Sequence, residues 1–343
     1  MNFQNDRYTL RLAVPEDDAG ILDIFRSGSF AGGLNVQYLR PAPLSSFAAD
    51  GDEARMLVIA DNVQHRIAAV GGAVVQTLFL HGNEERCAYL TGLKIHPDYR
   101  KQIFFIARAY QFLGEQLTDC KACYTTILDD NADAIRMLEK RRRNMPEYRY
   151  VSHITTYCFH GGRDILPIEE GNMQGFDELM ERHFAGLDLA PATPDYRGFG
   201  EKRFFSYREN GELQACCYVG DQRATKQYRM VSYGGIYKLA AMLPTAWLGY
   251  PAFPKAGQII PHGVVSFLYV RDNDPKLCRD FLRSVAGQTD LSLLLWACSD
   301  DHPLAPAMQT LRAVHYGSRL YEVQWNGAPP AVTGIPGLEA GLL

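Results

Sequence analysis

The spacing of apolar residues changes period several times along the chain, and each change marks an element. Tyr8 to Ala13 reads as a strand, and Pro15-Glu16-Asp17-Asp18 then opens a helix whose apolar face carries Ile21, Ile24 and Phe25. Gly28 to Leu44 reads as loop. Met56–Ala60 and Arg66–Leu80 read as strands, the second interrupted by Gly71-Gly72, which marks a bulge. His81 to Glu84 turns the chain into an apolar run with Tyr89, Leu90, Leu93 and Ile95. Pro97 ends that run, because it has no N–H for a ladder, and Asp98 is placed to cap a helix. Ile106, Ala107, Tyr110, Leu113 and Leu117 then recur at helical spacing. A strand at Cys123–Leu128, a helix through Ala134, Ile135 and Leu138, and an alternating strand at Tyr150–Phe159 follow.

The second half repeats this order. A strand over Val264–Val270, a loop at Asp272–Pro275, a helix from Lys276 to Val285 and a strand over Leu291–Ala297 match the earlier strand, loop, helix and strand. Leu93 corresponds to Leu268, an offset of 175 residues (268 − 93). Asp129-Asp130-Asn131 corresponds to Asp300-Asp301-His302, an offset of 171 (300 − 129). The expected division is 1–160, 165–326 and a Pro/Gly/Ala-rich tail at 327–343 that wraps as an arm or stays loose.

The segment LKIHPDYRKQIFFIARAYQFL resembles the acyl-CoA-binding segment of the GNAT N-acetyltransferase superfamily, and Asn131, Ala134 and Ile135 resemble its second motif. The resemblance implies an α+β fold of two tandem GNAT-like domains, each a mostly antiparallel sheet flanked by helices, with a V-shaped split where two strands part. It implies acetyl-CoA or another acyl-CoA as co-substrate and a small amine as acceptor, seated between the halves. On this basis Leu93, Lys94 and Ile95 lie along the pantetheine, Arg100, Lys101, Gln102, Ile103, Phe104 and Phe105 wrap the pyrophosphate, and Asn131 reaches the pantetheine arm. The N–H groups around Leu93 and Ile95 are candidates for the oxyanion, and Glu85 and Tyr89 for proton handling. Two glycine positions of the pyrophosphate loop hold Ile103 and Phe105, and the proton-donating tyrosine position holds Leu138. Those departures keep a non-catalytic ligand-binding or regulatory protein as the alternative.

Composition adds exclusions. A net charge of −4 gives no reason to expect nucleic acid, and no apolar run approaches membrane-spanning length. The N-terminus lacks the apolar core of an export signal, so the expected location is cytoplasmic. The eight cysteines sit in apolar surroundings and read as free thiols. Cys120-Lys121-Ala122-Cys123 has no second CxxC to complete a metal site. Tyr148, Tyr150, Tyr157, Tyr228, Tyr233, Tyr237 and Tyr250 suit a groove between the halves.

Overall fold

The computed structural model describes residues 3–27, 34–100, 106–140, 142–160, 162, 165–235, 237–243, 245, 250, 253–325, 327 and 329–343. The first half runs β1 (Phe3–Gln4), β2 (Tyr8–Leu12), α1 (Asp18–Arg26), β3 (Leu34–Leu39), α2 (Pro43–Ala48), β4 (Glu53–Asp61), β5 (Arg66–Leu80), β6 (Asn83–Ile95), α3 (Ile106–Gln116), β7 (Ala122–Leu128), α4 (Ala132–Glu139) and β8 (Glu147–Phe159). The second runs β9 (Glu169–Glu170), α5 (Phe176–Arg182), β10 (Glu201–Glu209), β11 (Glu212–Asp221), β12 (Gln227–Tyr233), α6 (Tyr237–Ala240), β13 (His262–Val270), α7 (Pro275–Gly287), β14 (Leu293–Ser299), α8 (Ala305–Met308) and β15 (Ala313–Gln324).

Strands β4, β5 and β6 form an antiparallel meander. The β5–β6 turn is only His81-Gly82, both at positive φ, the conformation that tight hairpins require. Side chains alternate across β4: Leu57 and Ile59 face the core under α3, while Met56 and Val58 face the core under α1 and α2. In the second half α7 packs Phe281, Leu282 and Val285 onto Val265 and Trp296.

The strands of the two halves join in one 13-stranded, mostly antiparallel sheet, in the order β1-β2-β4-β5-β6-β7-β15-β8-β14-β13-β11-β10-β9, with β3 and β12 in a separate two-stranded ribbon. The join is an exchange of terminal strands. β8, the last strand of the first half, pairs with β14 of the second. β15, the last strand of the second half, pairs with β7 of the first. Between them β8 and β15 run antiparallel from Ala313↔Phe159 to Gln324↔Glu147.

Several local expectations are corrected. The stretch read as loop contains β3, which pairs with β12 of the other half, and α2, which has Pro43 in its first turn. Asp98 lies in a 3-10 turn, Pro97–Tyr99, whose cap is His96: its Nδ1 accepts the Asp98 N–H at 3.3 Å. The bulge lies on β6, at Gly92-Leu93, and Gly71 lies opposite it on β5. The tail wraps: Val332, Leu338 and Leu342 are buried, the Asp188 carboxylate accepts the N–H groups of Thr333 and Gly334, and Glu322 accepts that of Ala331.

Candidate functional site

Parallel strands β6 and β7 pair only at Cys87↔Ala122, Ala88↔Cys123 and Tyr89↔Tyr124. Beyond those pairs they part, and β7 turns instead to β15. Just past the parting, β6 carries the Gly92-Leu93 bulge, with Gly92 at φ 72°. Gly71 lets the bulge come close, since a Cβ there would lie 3.2 Å from Leu93 Cα. A bulge re-aims backbone N–H groups away from the ladder, here beside the opening.

The second half repeats this geometry. β13 and β14 pair in parallel only at His262↔Leu293, Gly263↔Leu294 and Val264↔Leu295. β13 then bulges at Phe267-Leu268, with Phe267 at φ 51°. Gly92 and Phe267 are 175 residues apart (267 − 92), the offset that relates Leu93 to Leu268. This second split is filled. The Phe267 N–H donates to Glu339 Oε1 at 2.7 Å, and Leu338 packs beside Ala297. Burial pushes the Glu339 carboxyl up to about 8, against the pull of the Phe267 N–H. Its Oε2 has no hydrogen-bond partner among the described residues.

The candidate residues distribute as follows. Leu93 is half-exposed on the bulge, and Ile95 packs against the core under α3. The Lys94 amine donates to the Phe25 carbonyl at 3.0 Å; burial lowers it, and nearby Arg100 adds to the shift. Arg100 is exposed just after the 3-10 turn. Lys101, Gln102, Ile103, Phe104 and Phe105 lie outside the described residues. Asn131 caps α4, its Oδ1 accepting the Ala134 N–H at 3.2 Å. Tyr89 stands at the apex of the first split with its hydroxyl 2.9 Å from Thr126 Oγ1. Burial raises its phenol, so it is neutral near pH 7 and no base. Glu85 is four residues further back on β6, opposite Leu78 and roughly 13 Å along the strand from Tyr89. Cys120 and Cys123 are free thiols, raised to about 11 and upward by burial, which leaves them poor nucleophiles.

The β3–β12 ribbon brings tyrosines of the two halves together. Tyr38 of β3 and Tyr228 of β12 put their ring centroids 5.5 Å apart. Tyr316 of β15, partly exposed, is within electrostatic reach of Tyr228, Cys158 and Tyr89. At one end of the ribbon Arg40, Asp50 and Lys226 are buried together. Arg40 Nη1 is 2.6 Å and Lys226 Nζ 3.3 Å from Asp50 Oδ2. Burial drops the Lys226 amine to about 7, although Asp50 opposes this. Lys226 also donates to the main-chain oxygens of Gly341 and Leu343, which ties the tail to this end. Of the tyrosines expected to border a groove, Tyr228 lies against Tyr38, whereas Tyr148 donates to Tyr110 of α3. Tyr38 and Tyr316 carried no sequence signal, because their roles depend on pairings across the two halves.

Solved structures share this architecture. N-myristoyltransferase of Saccharomyces cerevisiae with bound myristoyl-CoA aligns over 96% of this chain and 83% of its own, with a TM-score of 0.59 and 8% identity. A Pyrococcus horikoshii protein designated a candidate acetyltransferase aligns over 99% of this chain and 97% of its own, with a TM-score of 0.56 and 10% identity. The fold is that of the GNAT acyltransferases. No known sequence family and no curated protein sequence matches the chain. Within the GNAT arrangement, Leu138 of α4 packs against the Ile127, Ile135 and Tyr321 cluster and so supplies no proton donor. Among the described residues no helix is long and apolar enough to cross a membrane.

Proposed function

We propose that the first split binds an acyl-CoA and that the protein transfers the acyl group to a small amine held near Tyr38, Tyr228 and Tyr316. One observation carries the reading. The bulge N–H of the second half holds a carboxyl oxygen, and its counterpart, the Gly92 N–H, sits at a split into which no comparable carboxyl group reaches among the described residues. A donor that binds a carboxyl oxygen suits a thioester carbonyl and the oxyanion that forms from it. This moves the expected donor from Leu93 or Ile95 to Gly92.

In the reaction the neutral amine nitrogen attacks the thioester carbon, and the C–N bond forms while negative charge collects on the oxygen facing Gly92. Collapse breaks the C–S bond, and the proton leaving the amine ends on the departing thiolate. Arg100, exposed after the 3-10 turn, supplies a cation for the CoA phosphates in this reading. The second split takes no part in CoA binding, because Leu338 and Glu339 fill it.

Titration calorimetry with acetyl-CoA tests the reading. Binding is expected, and Arg100→Ala is expected to weaken it by about 1.5–3 kcal/mol, the range for a hydrogen bond to a charged group. Affinity unaffected by Arg100→Ala, or no binding of any acyl-CoA at millimolar concentration, overturns it. The core position of Leu138 favours a second reading, a GNAT-fold protein that binds CoA without turnover. CoA binding with no acyl transfer to any amine tried would select that one.

A further inference from the structure

We infer that Tyr89 and Thr126 set the depth of the acyl chamber in the first split and restrict the donor to short acyl thioesters. The inference rests on the reading of that split as a thioester site.

The molecule contains its own comparison. The last parallel pairs before the two splits are Tyr89↔Tyr124 and Val264↔Leu295. By the same registers Val264 stands where Tyr89 does, and Ala297 where Thr126 does. In the first half both apex side chains are large and polar. The Tyr89 hydroxyl and Thr126 Oγ1 meet at 2.9 Å across the opening on one face. On the other face Thr125 Oγ1 donates to the Leu90 carbonyl at 2.8 Å. Behind Tyr89 lies Tyr124, with ring centroids 5.2 Å apart, and its hydroxyl donates to Gln76. The opening is therefore bridged just past its apex, and the space behind the bridge is occupied by rings.

In the second half Val264 and Ala297 cannot bridge anything. There the space beyond the bulge N–H admits a leucine side chain: Glu339 takes the position of the carbonyl on Phe267, and Leu338 lies against Ala297. A small cavity lined by Leu268, Ala297, Cys298, Leu338 and Glu339 remains even so. The small Ala297 thus leaves space of leucine size behind a bound carboxyl group, while Tyr89 and Thr126 close the corresponding space in the first half. Opening the first chamber means separating the buried Tyr89 hydroxyl from the half-buried Thr126 hydroxyl and displacing a packed ring.

The test is calorimetry with free CoA, acetyl-CoA and hexanoyl-CoA. The wild-type chain is expected to bind acetyl-CoA at least about tenfold more tightly than hexanoyl-CoA, the low end of what a methylene misfit is worth. Tyr89→Val with Thr126→Ala gives the first chamber the side chains of the second. It is expected to narrow or reverse that ratio by about tenfold while free CoA binds as before. Should the double variant fail to fold by circular dichroism, Thr126→Ala alone carries the test, with a several-fold shift in the same direction. Wild-type protein that binds hexanoyl-CoA as tightly as acetyl-CoA overturns the inference, as does a ratio unmoved in the variants. If free CoA binds in either case, the functional reading survives; if neither CoA nor its esters bind, both fall together.

Discussion

His153 of β8 sits where the two halves meet, with Nε2 2.8 Å from Asp129 and Nδ1 3.1 Å from Asp300. The two carboxylates are the pair related by the 171-residue offset, so one imidazole serves both copies of a repeated position. Desolvation pulls its pKa down, but hydrogen bonds to Asp129 and Asp300 outweigh this and the net shift is upward. The charged form therefore stabilises the fold below the unfolded value, and that contribution is lost as pH rises through the folded one. Asp300→Asn should lower the His153 pKa, read from its ring resonances in an NMR titration; no movement would mean that Asp300 does not act on it. Gly317 makes the site possible, because a Cβ there would fall 2.0 Å from Asp129 Oδ2 and 2.5 Å from His153 Nε2. Gly317→Ala should cost about 1–3 kcal/mol in urea unfolding, the usual penalty for overpacking. Glu339 titrates with the opposite consequence for an acid. Its folded pKa of about 8 lies above its ordinary 4.5, so the folded chain keeps a proton that the unfolded chain has released. Stability then falls as pH rises between those values. Lys226, lowered to about 7, adds its own slope only above that pH, whereas His153 and the buried His302 also contribute between pH 5 and 7, so the Glu339 contribution is read as the difference in slope between variant and wild-type chain. Glu339→Gln should flatten the decline of Tm across pH 5–7, and an unchanged slope would show that Glu339 does not set it. The repeat of the Asp pair was legible from the sequence. The repeat of the bulge was only half legible, since Leu93 and Leu268 matched while Gly92 and Phe267, both at positive φ, share no residue type.

At the scale of elements, the β3–β12 ribbon shows where pattern reading stops. β3 was not legible as a strand, because its partner comes from the other half of the chain and its own residues show no clean alternation in burial. The ribbon leads from Leu39 to Arg40 on one strand and is preceded by Lys226 on the other, and Asp50 lies between these cations. A buried charge that loses its partner is costly, so Asp50→Ala should destabilise the chain by about 3–5 kcal/mol by urea unfolding. A loss under about 1 kcal/mol would show that water reaches the cluster. The helix after β6 was legible in its body. Its opening was not, because Pro97–Tyr99 closes as a separate 3-10 turn capped by His96.

For the whole molecule, strand order along the chain points to two halves of one kind, and we propose their junction at 160–165, with units 1–160 and 165–326 followed by the 327–343 tail. Which strands pair across that junction was not legible. The alternation in β8 and β15 records that each is a strand and says nothing about its neighbours. With β15 seated between β7 and β8, neither half has a complete sheet alone. Tryptophan fluorescence and far-UV circular dichroism should therefore report one coincident urea transition, and two separated transitions would mean that the halves unfold independently.

The exchange also orders events during synthesis. β7 and β8 are made early, yet the strand that lies between them is Ala313–Gln324, which leaves the ribosome some 150 residues after β8 (313 − 159). Throughout that interval the nascent chain carries open sheet edges, the feature most prone to pair with a neighbouring chain. The first half must wait for Ala313–Gln324 before its sheet closes, and the growing polypeptide needs protection from other copies until then.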